Sequence, residues 1–189
     1  MTLNNIATIS TSYTIRVPIR LIPKGNLPIV KISDLEANRS LNTKRLDRII
    51  PDQMNLANKG NLEDGDVLIS GRGSFKAAYV EKRVDTEILA TGNIFIIRPN
   101  ENIINYKFLC IYLNSPQVQK ILLRNQKTTT INHITIKDLQ SLDLRIPDLY
   151  TQIKIVELEE IKQNLCLLYQ EKCDKTESTI NQAITNLIK

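Results

Sequence analysis

The sequence predicts an α+β fold, in which a mixed α/β domain over residues 1–150 is followed by one long C-terminal helix over residues 151–189. All six Gly and all seven Pro precede Tyr150. Because these residues punctuate turns and end helices, their absence after Tyr150 predicts a single uninterrupted helix. The charge divides at the same place, since residues 1–150 hold 20 Lys+Arg and 14 Asp+Glu, a net +6, whereas residues 151–189 hold a net −1.

The strands of the first unit are predicted from short runs of apolar and β-branched residues that are bounded by Gly, Pro or Asn. Pro18 confines the first run to the edge or the end of a sheet, because proline cannot donate a hydrogen bond to a ladder. The glycine-punctuated segment 71–76 is predicted to be a loop between two strands. The predicted extended segments are residues 13–19, 27–32, 62–70 (a turn into a buried strand), 77–80, 94–97 and 144–146.

The helices of the first unit are predicted from apolar residues spaced three and four apart. Residues 105–125 have this spacing, and Ser115 followed by Pro116 is predicted to begin a second helix within them. Thr135 and Asp138 have the spacing of a capping box, which predicts a short helix after Thr135.

The long C-terminal helix carries a stripe of apolar residues at spacings of three and four. Such a stripe needs a partner helix or a domain surface, and at ~1.5 Å per residue the helix would extend nearly 60 Å. We therefore predict coiled-coil pairing with another chain, and the alternative is that the helix folds back onto its own domain. The candidate dimer-interface residues are Leu158, Ile161, Leu165, Leu168, Cys173, Ile180, Ile184 and Leu187.

The composition bounds the class of protein. A hydrophobic fraction of 42% is enough for a core and excludes wholesale disorder, and no apolar run approaches the ~18 residues of a membrane span. The first residues show no secretory signal. Three Cys without paired spacing favour reduced thiols and hence a cytoplasmic location. A single histidine, His133, and no CxxC give no support for a metal site.

No familiar catalytic motif occurs in the sequence: GxSxG, GxxxxGK[ST] and GxGxxG are all absent. One alternative is a metal-dependent nuclease, whose loose spacing Asp148, Glu160 and Lys162 match. That chemistry needs clustered side chains, whereas Glu160 and Lys162 lie two apart on the predicted helix and so on different faces. We expect a non-catalytic chain without a cofactor of its own.

The order of four segments resembles the specificity subunit of type I restriction–modification systems. The segments are residues 62–73, 91–99, 106–119 and 130–156. In the last segment, the residues that are similar to the family pattern at the junction of recognition domain and helix are Ile134, Thr135, Leu139, Leu142, Ile146, Pro147, Leu149, Gln152, Ile155 and Val156. Asp148 and Thr151 depart from that pattern, which has proline and glutamate at these places.

The resemblance implies a sequence-specific DNA-recognition subunit rather than an enzyme. Family members usually carry two target-recognition domains and two conserved helices, and this chain has room for one of each. The implied assembly is a homodimer with antiparallel helices, which recognises a split palindromic target and docks adenine methyltransferase and restriction (translocase) subunits. S-adenosylmethionine would be bound by the methyltransferase subunit. The alternative is a non-modifying DNA-binding scaffold or an antirestriction mimic of the same fold.

Two polar loops are candidates for the DNA contact, because phosphates and base edges are bound by Lys, Arg, Asn, Gln, Ser and Thr. Residues 71–76 combine two cations with glycines that allow close approach, and residues 124–130 are polar with two cations and no acid. Each residue could equally lie on a solvated turn, and His133 could be a hydrogen-bonded structural residue. The candidate DNA-binding residues are Arg72, Ser74, Lys76, Arg124, Lys127, Thr128, Thr129, Thr130 and His133. A further basic cluster that could face phosphates or solvent comprises Arg39, Lys44, Arg45 and Arg48.

Overall fold

The computed structural model describes residues 1–13, 25–50, 60–81, 87–124 and 132–188. The strands within these ranges are β1 (Ala7–Thr11), β2 (Leu27–Val30), β3 (Asp47–Ile49), β4 (Val67–Ser70), β5 (Ala77–Tyr79), β6 (Leu89–Ala90) and β7 (Ile94–Pro99). The α-helices are α1 (Tyr106–Leu113), α2 (Pro116–Arg124), α3 (Ile136–Gln140) and α4 (Leu149–Ile188). Short strands followed by helices and one long C-terminal helix confirm the predicted α+β class.

Four strands form an antiparallel sheet in the order β1-β7-β4-β5. The central strands β4 and β7 pair from Val67 with Ile97 to Ser70 with Ile94. At the other edge of β4, Ile69 pairs with Ala77 of β5. Because neighbouring strands are antiparallel, the end of β4 and the starts of β5 and β7 lie together. We call this place the loop end of the sheet.

The four-stranded sheet separates two apolar cores, because successive side chains of a strand point to opposite faces. Val67 and Ile69 of β4 face a core that is formed with α1, α2 and the start of α4. Leu68 faces the other core, which includes Val30 of β2 and Ala90 of β6. β2 pairs antiparallel with β3 and parallel with β6, giving a three-stranded sheet. Helices therefore cover one face of the larger sheet, and the smaller sheet covers the other.

Each of the first three α-helices begins at a capping side chain or at a proline. Asn105 caps α1 by accepting hydrogen bonds from two amides of the first turn, at 2.9 and 3.1 Å. α2 begins at Pro116, where the missing N–H would have had no partner in the helix. The amide of Thr135 donates to Asp138 Oδ2 at 2.8 Å, and the amide of Asp138 donates to Thr135 Oγ1 at 3.3 Å. This is the predicted capping box of α3.

α4 is one helix of 40 residues, which confirms the predicted uninterrupted helix and places its start at Leu149. Asp148 caps it, accepting from the amide of Thr151 at 3.0 Å. Gln152 and Val156 in its first turns are buried against the domain. From residue 164 to residue 188 every residue is exposed, a length of about 37 Å at ~1.5 Å per residue. The division of the chain into two units at residue 150 stays a prediction.

The predicted strand at residues 144–146 is wrong. Within this part of the chain a single bridge forms, between Asp143 and Thr2. The amide of Arg145 donates to the hydroxyl of Tyr112 at 3.2 Å instead of to a strand. The hydroxyl of Tyr112 in α1 therefore accepts the hydrogen bond that the carbonyl of a neighbouring strand would otherwise accept.

The first predicted strand, residues 13–19, lies outside the described residues apart from Tyr13. Tyr13 forms an isolated parallel bridge with Thr91. The strands β1, β3 and β6 were not predicted, although β1 pairs with β7 along its whole length. The predicted segments at 27–32, 62–70, 77–80 and 94–97 correspond to β2, β4, β5 and β7.

Candidate nucleic-acid interface

The 71–76 loop joins β4 to β5 at the loop end of the sheet, as predicted. Its polar side chains Arg72, Ser74 and Lys76 are exposed. Gly73 adopts φ +77°, a left-handed conformation that glycine accepts without strain, and a Cβ there would meet no atom within 4 Å. Gly71 is needed for a different reason, since a Cβ there would lie 2.8 Å from Cε2 of Phe95. The loop thus exposes three polar side chains, while its backbone at Gly71 packs closely against the ring of Phe95.

Backbone hydrogen bonds and one buried side chain hold the 71–76 loop. The amide of Ser70 donates to the carbonyl of Lys76 at 2.9 Å, which closes the loop across its base. Phe75 is fully buried and has φ +42°, so its ring anchors a strained turn in the core. Gln119 of α2 donates through Nε2 to the carbonyl of Phe75 at 3.2 Å. These contacts fix the loop before any ligand is bound.

The structure brings the segment around His133 directly against the 71–76 loop. Arg72 and His133 form an antiparallel bridge. The amide of Gly73 donates to the carbonyl of Asn132 at 3.0 Å, and the amide of Ile134 donates to the carbonyl of Gly71 at 3.0 Å. The backbone of His133 is therefore structural while its side chain remains exposed. The structural role that the sequence left open for this histidine is thus present in its backbone, and the contact of its side chain with DNA stays a prediction.

A third segment, the turn at residues 91–93, completes this end of the sheet. The carbonyl of Asn93 accepts from the amide of Gly71 at 2.6 Å. The hydroxyl of Thr91, which is buried, donates to the carbonyl of Val30 at 2.8 Å and ties the turn to the smaller sheet. Gly92 has φ +76°, and both it and Asn93 are exposed. The loop, the turn and the segment 132–133 form one surface, which we call the loop-end surface.

The predicted DNA-binding residues fall into three groups. Four of them, Arg72, Ser74, Lys76 and His133, lie on the loop-end surface. Arg124 is the exposed last residue of α2. Lys127, Thr128, Thr129 and Thr130 lie outside the described residues.

Two asparagines of the loop-end surface, Asn93 and Asn132, are not among the residues predicted from the sequence. Both are exposed, and an asparagine amide can bind the N6 and N7 atoms of adenine with two hydrogen bonds. The signal for Asn93 was the glycine before it in a turn that leads into a strong strand. Asn132 had no local signal, because its place depends on pairing with the distant residue Gly73.

The loop-end surface is basic. Its described residues carry two cations, Arg72 and Lys76, and no carboxylate. Backbone and side-chain donors in such a setting attract phosphate, and the exposed amides and hydroxyl can bind base edges.

The arginine of the 91–99 segment has a structural role at the opposite end of the sheet. Arg98 donates to both carboxylate oxygens of Asp66, at 2.8 and 2.9 Å, and Asp66 is fully buried. This hydrogen-bonded pairing raises the pKa of Arg98 further above its ordinary value. Arg98 therefore stabilises the domain and is not a candidate for DNA contact.

The start of α4 is fixed to the domain by a buried amide. Gln152 accepts from the amide of Asn105 at 2.8 Å, and donates to the carbonyls of Ile103 at 3.1 Å and Pro147 at 2.9 Å. About two turns further along, the exposed Glu160 pairs with Lys107 of α1 at 2.9 Å. Buried polar groups with every bond made give a defined geometry, so the helix leaves the domain in a fixed direction.

The comparisons with known proteins agree with this architecture. The family model described as the type I restriction modification DNA specificity domain matches residues 1–185. The chain belongs to this family. Over 104 residues it is 30% identical to the type I restriction enzyme HindI specificity subunit of Haemophilus influenzae, a match that covers 53% of this chain and 22% of that protein.

Solved structures of specificity subunits share the fold. A chain of a type I R-M system, from work on its complex assembly and conformational transition, matches with a TM-score of 0.67 and 20% identity over 93% of this chain. The HsdS subunit of Thermoanaerobacter tengcongensis matches with a TM-score of 0.61 and 21% identity over 89% of this chain. This specificity-family chain spans 40% and 38% of the lengths of those two chains.

The residues that match a nuclease spacing are engaged separately in this specificity-family chain. Asp148 caps α4, Glu160 pairs with Lys107, and Lys162 pairs with Glu159 on the same helix. Among the described residues no group of three or more His, Cys, Asp and Glu side chains could hold a metal ion. Metal-assisted cleavage has no residue cluster to support it within these ranges.

The apolar stripe of α4 is exposed in this specificity-family chain. The exposed fraction is 66% for Leu158, 49% for Leu165 and 62% for Leu168. The other predicted interface residues are also exposed: Ile161, Cys173, Ile180, Ile184 and Leu187. Across the described residues, no helix is both long and apolar enough to span a membrane. The residues that would pair in a dimer stay a prediction.

Proposed function

We propose that this chain is the DNA-recognition subunit of a cytoplasmic type I restriction–modification system and carries no catalytic site of its own. Two copies pair through α4, and each contributes one recognition domain. The homodimer recognises a split palindromic target and docks adenine methyltransferase and restriction subunits. S-adenosylmethionine binds to the methyltransferase subunit.

One observation carries the DNA-binding part of this proposal. The 71–76 loop and residues 132–133, which are distant in the sequence, meet through the bridge between Arg72 and His133 and form a single surface, whose described residues carry two cations and no carboxylate. A surface of this kind offers cations for phosphate and exposed amides for base edges at the same place. Its location in a chain of the specificity-domain family makes DNA the ligand that best fits these groups.

The homodimer part of the proposal is supported by the exposed half of α4. An apolar stripe about 37 Å long in water is costly unless another surface covers it. A second copy supplies a matching stripe in a self-complementary, two-fold arrangement. Antiparallel pairing then places the two loop-end surfaces at opposite ends of the helices, which calls for a target with two inverted halves.

The test is reconstitution of the purified chain with an adenine methyltransferase subunit from the same host. With S-adenosylmethionine and a pool of random duplexes, we expect methylated adenine at one split, inverted-repeat sequence. The matched control is the methyltransferase subunit without this chain, which should leave the same pool unmethylated.

Two other outcomes would reject the proposal. Binding of a specific sequence without methyl transfer would favour the scaffold or mimic of the same fold. Cleavage of DNA by the isolated chain in the presence of Mg²⁺ would favour the nuclease.

A further inference from the structure

Asn38 lies where the domain, the 71–76 loop and α4 meet. Its backbone has φ +59°, the left-handed region that asparagine tolerates better than most residues. Its amide donates to the carbonyl of Ala77 at 3.2 Å, and Ala77 is the residue that directly follows the 71–76 loop. One side of Asn38 therefore touches the exit of the loop.

The other side of Asn38 touches α4. Its side-chain Nδ2 donates to Glu159 Oε1 at 3.1 Å. Its carbonyl accepts from Nε2 of Gln163 at 2.9 Å. Gln163 also donates to Glu159 at 3.2 Å, so the two helix residues and Asn38 form a closed set of bonds.

Asn114, at the C-terminus of α1, extends this set of bonds to the loop. Its Nδ2 donates to Asn38 Oδ1 at 2.7 Å and to the carbonyl of Ala77 at 2.8 Å. Its Oδ1 accepts from the amide of Ala77 at 2.9 Å. The exit of the loop is thus held on both backbone groups of Ala77, and one residue, Asn38, separates it from α4.

Glu159 remains ionised in this arrangement. Burial alone would raise its pKa, but hydrogen bonds from Lys162, Gln163 and Asn38 and the charge of Lys162 lower the pKa below its ordinary value. A bond from an amide to an ionised carboxylate is stronger than one between neutral groups. The hydrogen bonds between α4 and Asn38 therefore hold the helix firmly against the residue that contacts the exit of the loop.

We infer that Asn38 is a positioning residue, which with Glu159 and Gln163 fixes the 71–76 loop relative to α4. This inference rests on the proposed function, in which the pairing of α4 with its partner sets where each loop meets DNA. The hydrogen bonds and the ion pair that Gln152 and Glu160 of α4 make with the domain reach α1 and its N-terminal side instead of the loop. The Asn38 contact is the one that joins the helix to the exit of the loop within the described part of the chain.

The direct test measures the distance between the loop and α4 within one chain. Spin labels are placed at Ser74→Cys and Glu171→Cys, both exposed positions, in a Cys166→Ser, Cys173→Ala background. Labelled chain is diluted with unlabelled chain, so that pulsed dipolar spectroscopy reports the pair within a single molecule. The readout does not depend on DNA or on dimer formation.

Two variants remove the contact from either side. Glu159→Ala with Gln163→Ala removes the helix side chains and keeps a good helix former at both positions. Asn38→Gly removes the side chain and keeps the left-handed backbone, which glycine adopts freely. The matched control is Glu157→Ala with Asn164→Ala, an exposed acid and an exposed amide on the same helix.

We expect the distance distribution to broaden in both variants and to stay unchanged in the control, because the loop then samples several orientations relative to α4 instead of one held geometry. A distribution as narrow as the control's in both variants would overturn the inference. If the helix variant fails to fold, shown by loss of the circular dichroism of the control, Asn38→Gly decides alone.

A functional measurement separates this inference from the proposal on which it rests. With a duplex enriched by the wild-type chain from a random pool, we expect the variants to bind that duplex about tenfold more weakly, because base contacts need fixed geometry. Binding to unrelated DNA should not change, since attraction to phosphates does not need it. An equal loss on both DNAs would contradict a positioning role, whereas a wild-type chain that enriches no sequence would contradict the proposed function alone.

Discussion

At the scale of single residues, the loop-end surface combines side chains that are far apart in the sequence. Arg72, Ser74 and Lys76 were identified because cations and a hydroxyl sit among glycines. The bridge between Arg72 and His133 joins residues far apart in the sequence. No local pattern encodes such a pairing, because it depends on the register of β4 and on the path of the chain after α2.

The first prediction concerns Arg72. If the guanidinium of Arg72 contacts a base, Arg72→Gln should weaken binding to the selected duplex by about 1–3 kcal/mol. If it contacts a phosphate, the slope of log affinity against log salt concentration should fall by about one. Fluorescence anisotropy at several salt concentrations measures both quantities. The control is Lys154→Gln, an exposed cation of α4 that pairs with Glu157. Unchanged affinity and unchanged salt dependence would remove Arg72 from the interface.

The second prediction concerns the three thiols. Cys110 is fully buried, and burial raises the pKa of its thiol to about 12, so it stays protonated at neutral and mildly alkaline pH. Because the thiolate is the reactive form, we expect Ellman's reagent at pH 8 to modify the exposed Cys166 and Cys173 quickly and Cys110 only after unfolding. Rapid reaction of all three thiols in the native chain would show that the core around α1 is open.

At the scale of elements, local signals succeeded where they agreed with the tertiary fold. The capping box at Thr135 and the proline at Pro116 both begin helices. β1 was missed because its residues are small and polar apart from Ile9, although Ala7 and Ile9 alternate inward. The segment 144–146 has a strand-like sequence, but the amide of Arg145 donates to the hydroxyl of Tyr112 and not to a neighbouring strand. The strand β1 and the absence of a strand at 144–146 both depend on contacts between residues that are distant in the sequence.

The stripe of α4 changes phase along the helix. Leu158, Ile161, Leu165 and Leu168 follow spacings of three and four, and Cys173, Ile180 and Leu187 repeat every seven residues. The step of five between Leu168 and Cys173 does not fit a continuous heptad. The helix itself is uninterrupted there, so we expect a paired seam that is locally unwound between these two residues.

The third prediction tests the seam of the homodimer. Leu165→Asp and, separately, Leu168→Asp should each weaken the dimer by about 2 kcal/mol or more, since burying one leucine contributes about 1.5–3 kcal/mol. Leu167→Asp is the matched control, because Leu167 is also exposed and lies away from the stripe. Sedimentation equilibrium measures the dissociation constants. Equal weakening by all three variants, or a wild-type monomer at micromolar concentration, would contradict the proposed seam.

For the whole molecule, the division of charge matches the division of surfaces. The first 150 residues hold a net +6 and include the basic loop-end surface, whereas residues 151–189 hold a net −1 and carry the exposed apolar stripe. We therefore expect long-range attraction to an acidic polymer at the domain, and contact with protein at the helix. The sequence predicts this division because net charge and apolar spacing are counted along the chain, which needs no knowledge of strand register.

The base sequence of the target follows from loop geometry and from the deformability of DNA, which residue types do not determine. Mapping of methylated adenine across the host genome, with and without the gene for this chain, therefore tests the central claim most directly. We predict one split motif whose two halves are inverted repeats, methylated in the wild type and unmethylated when the gene is deleted. An unchanged pattern of methylation after the deletion would contradict the claim that this chain directs modification.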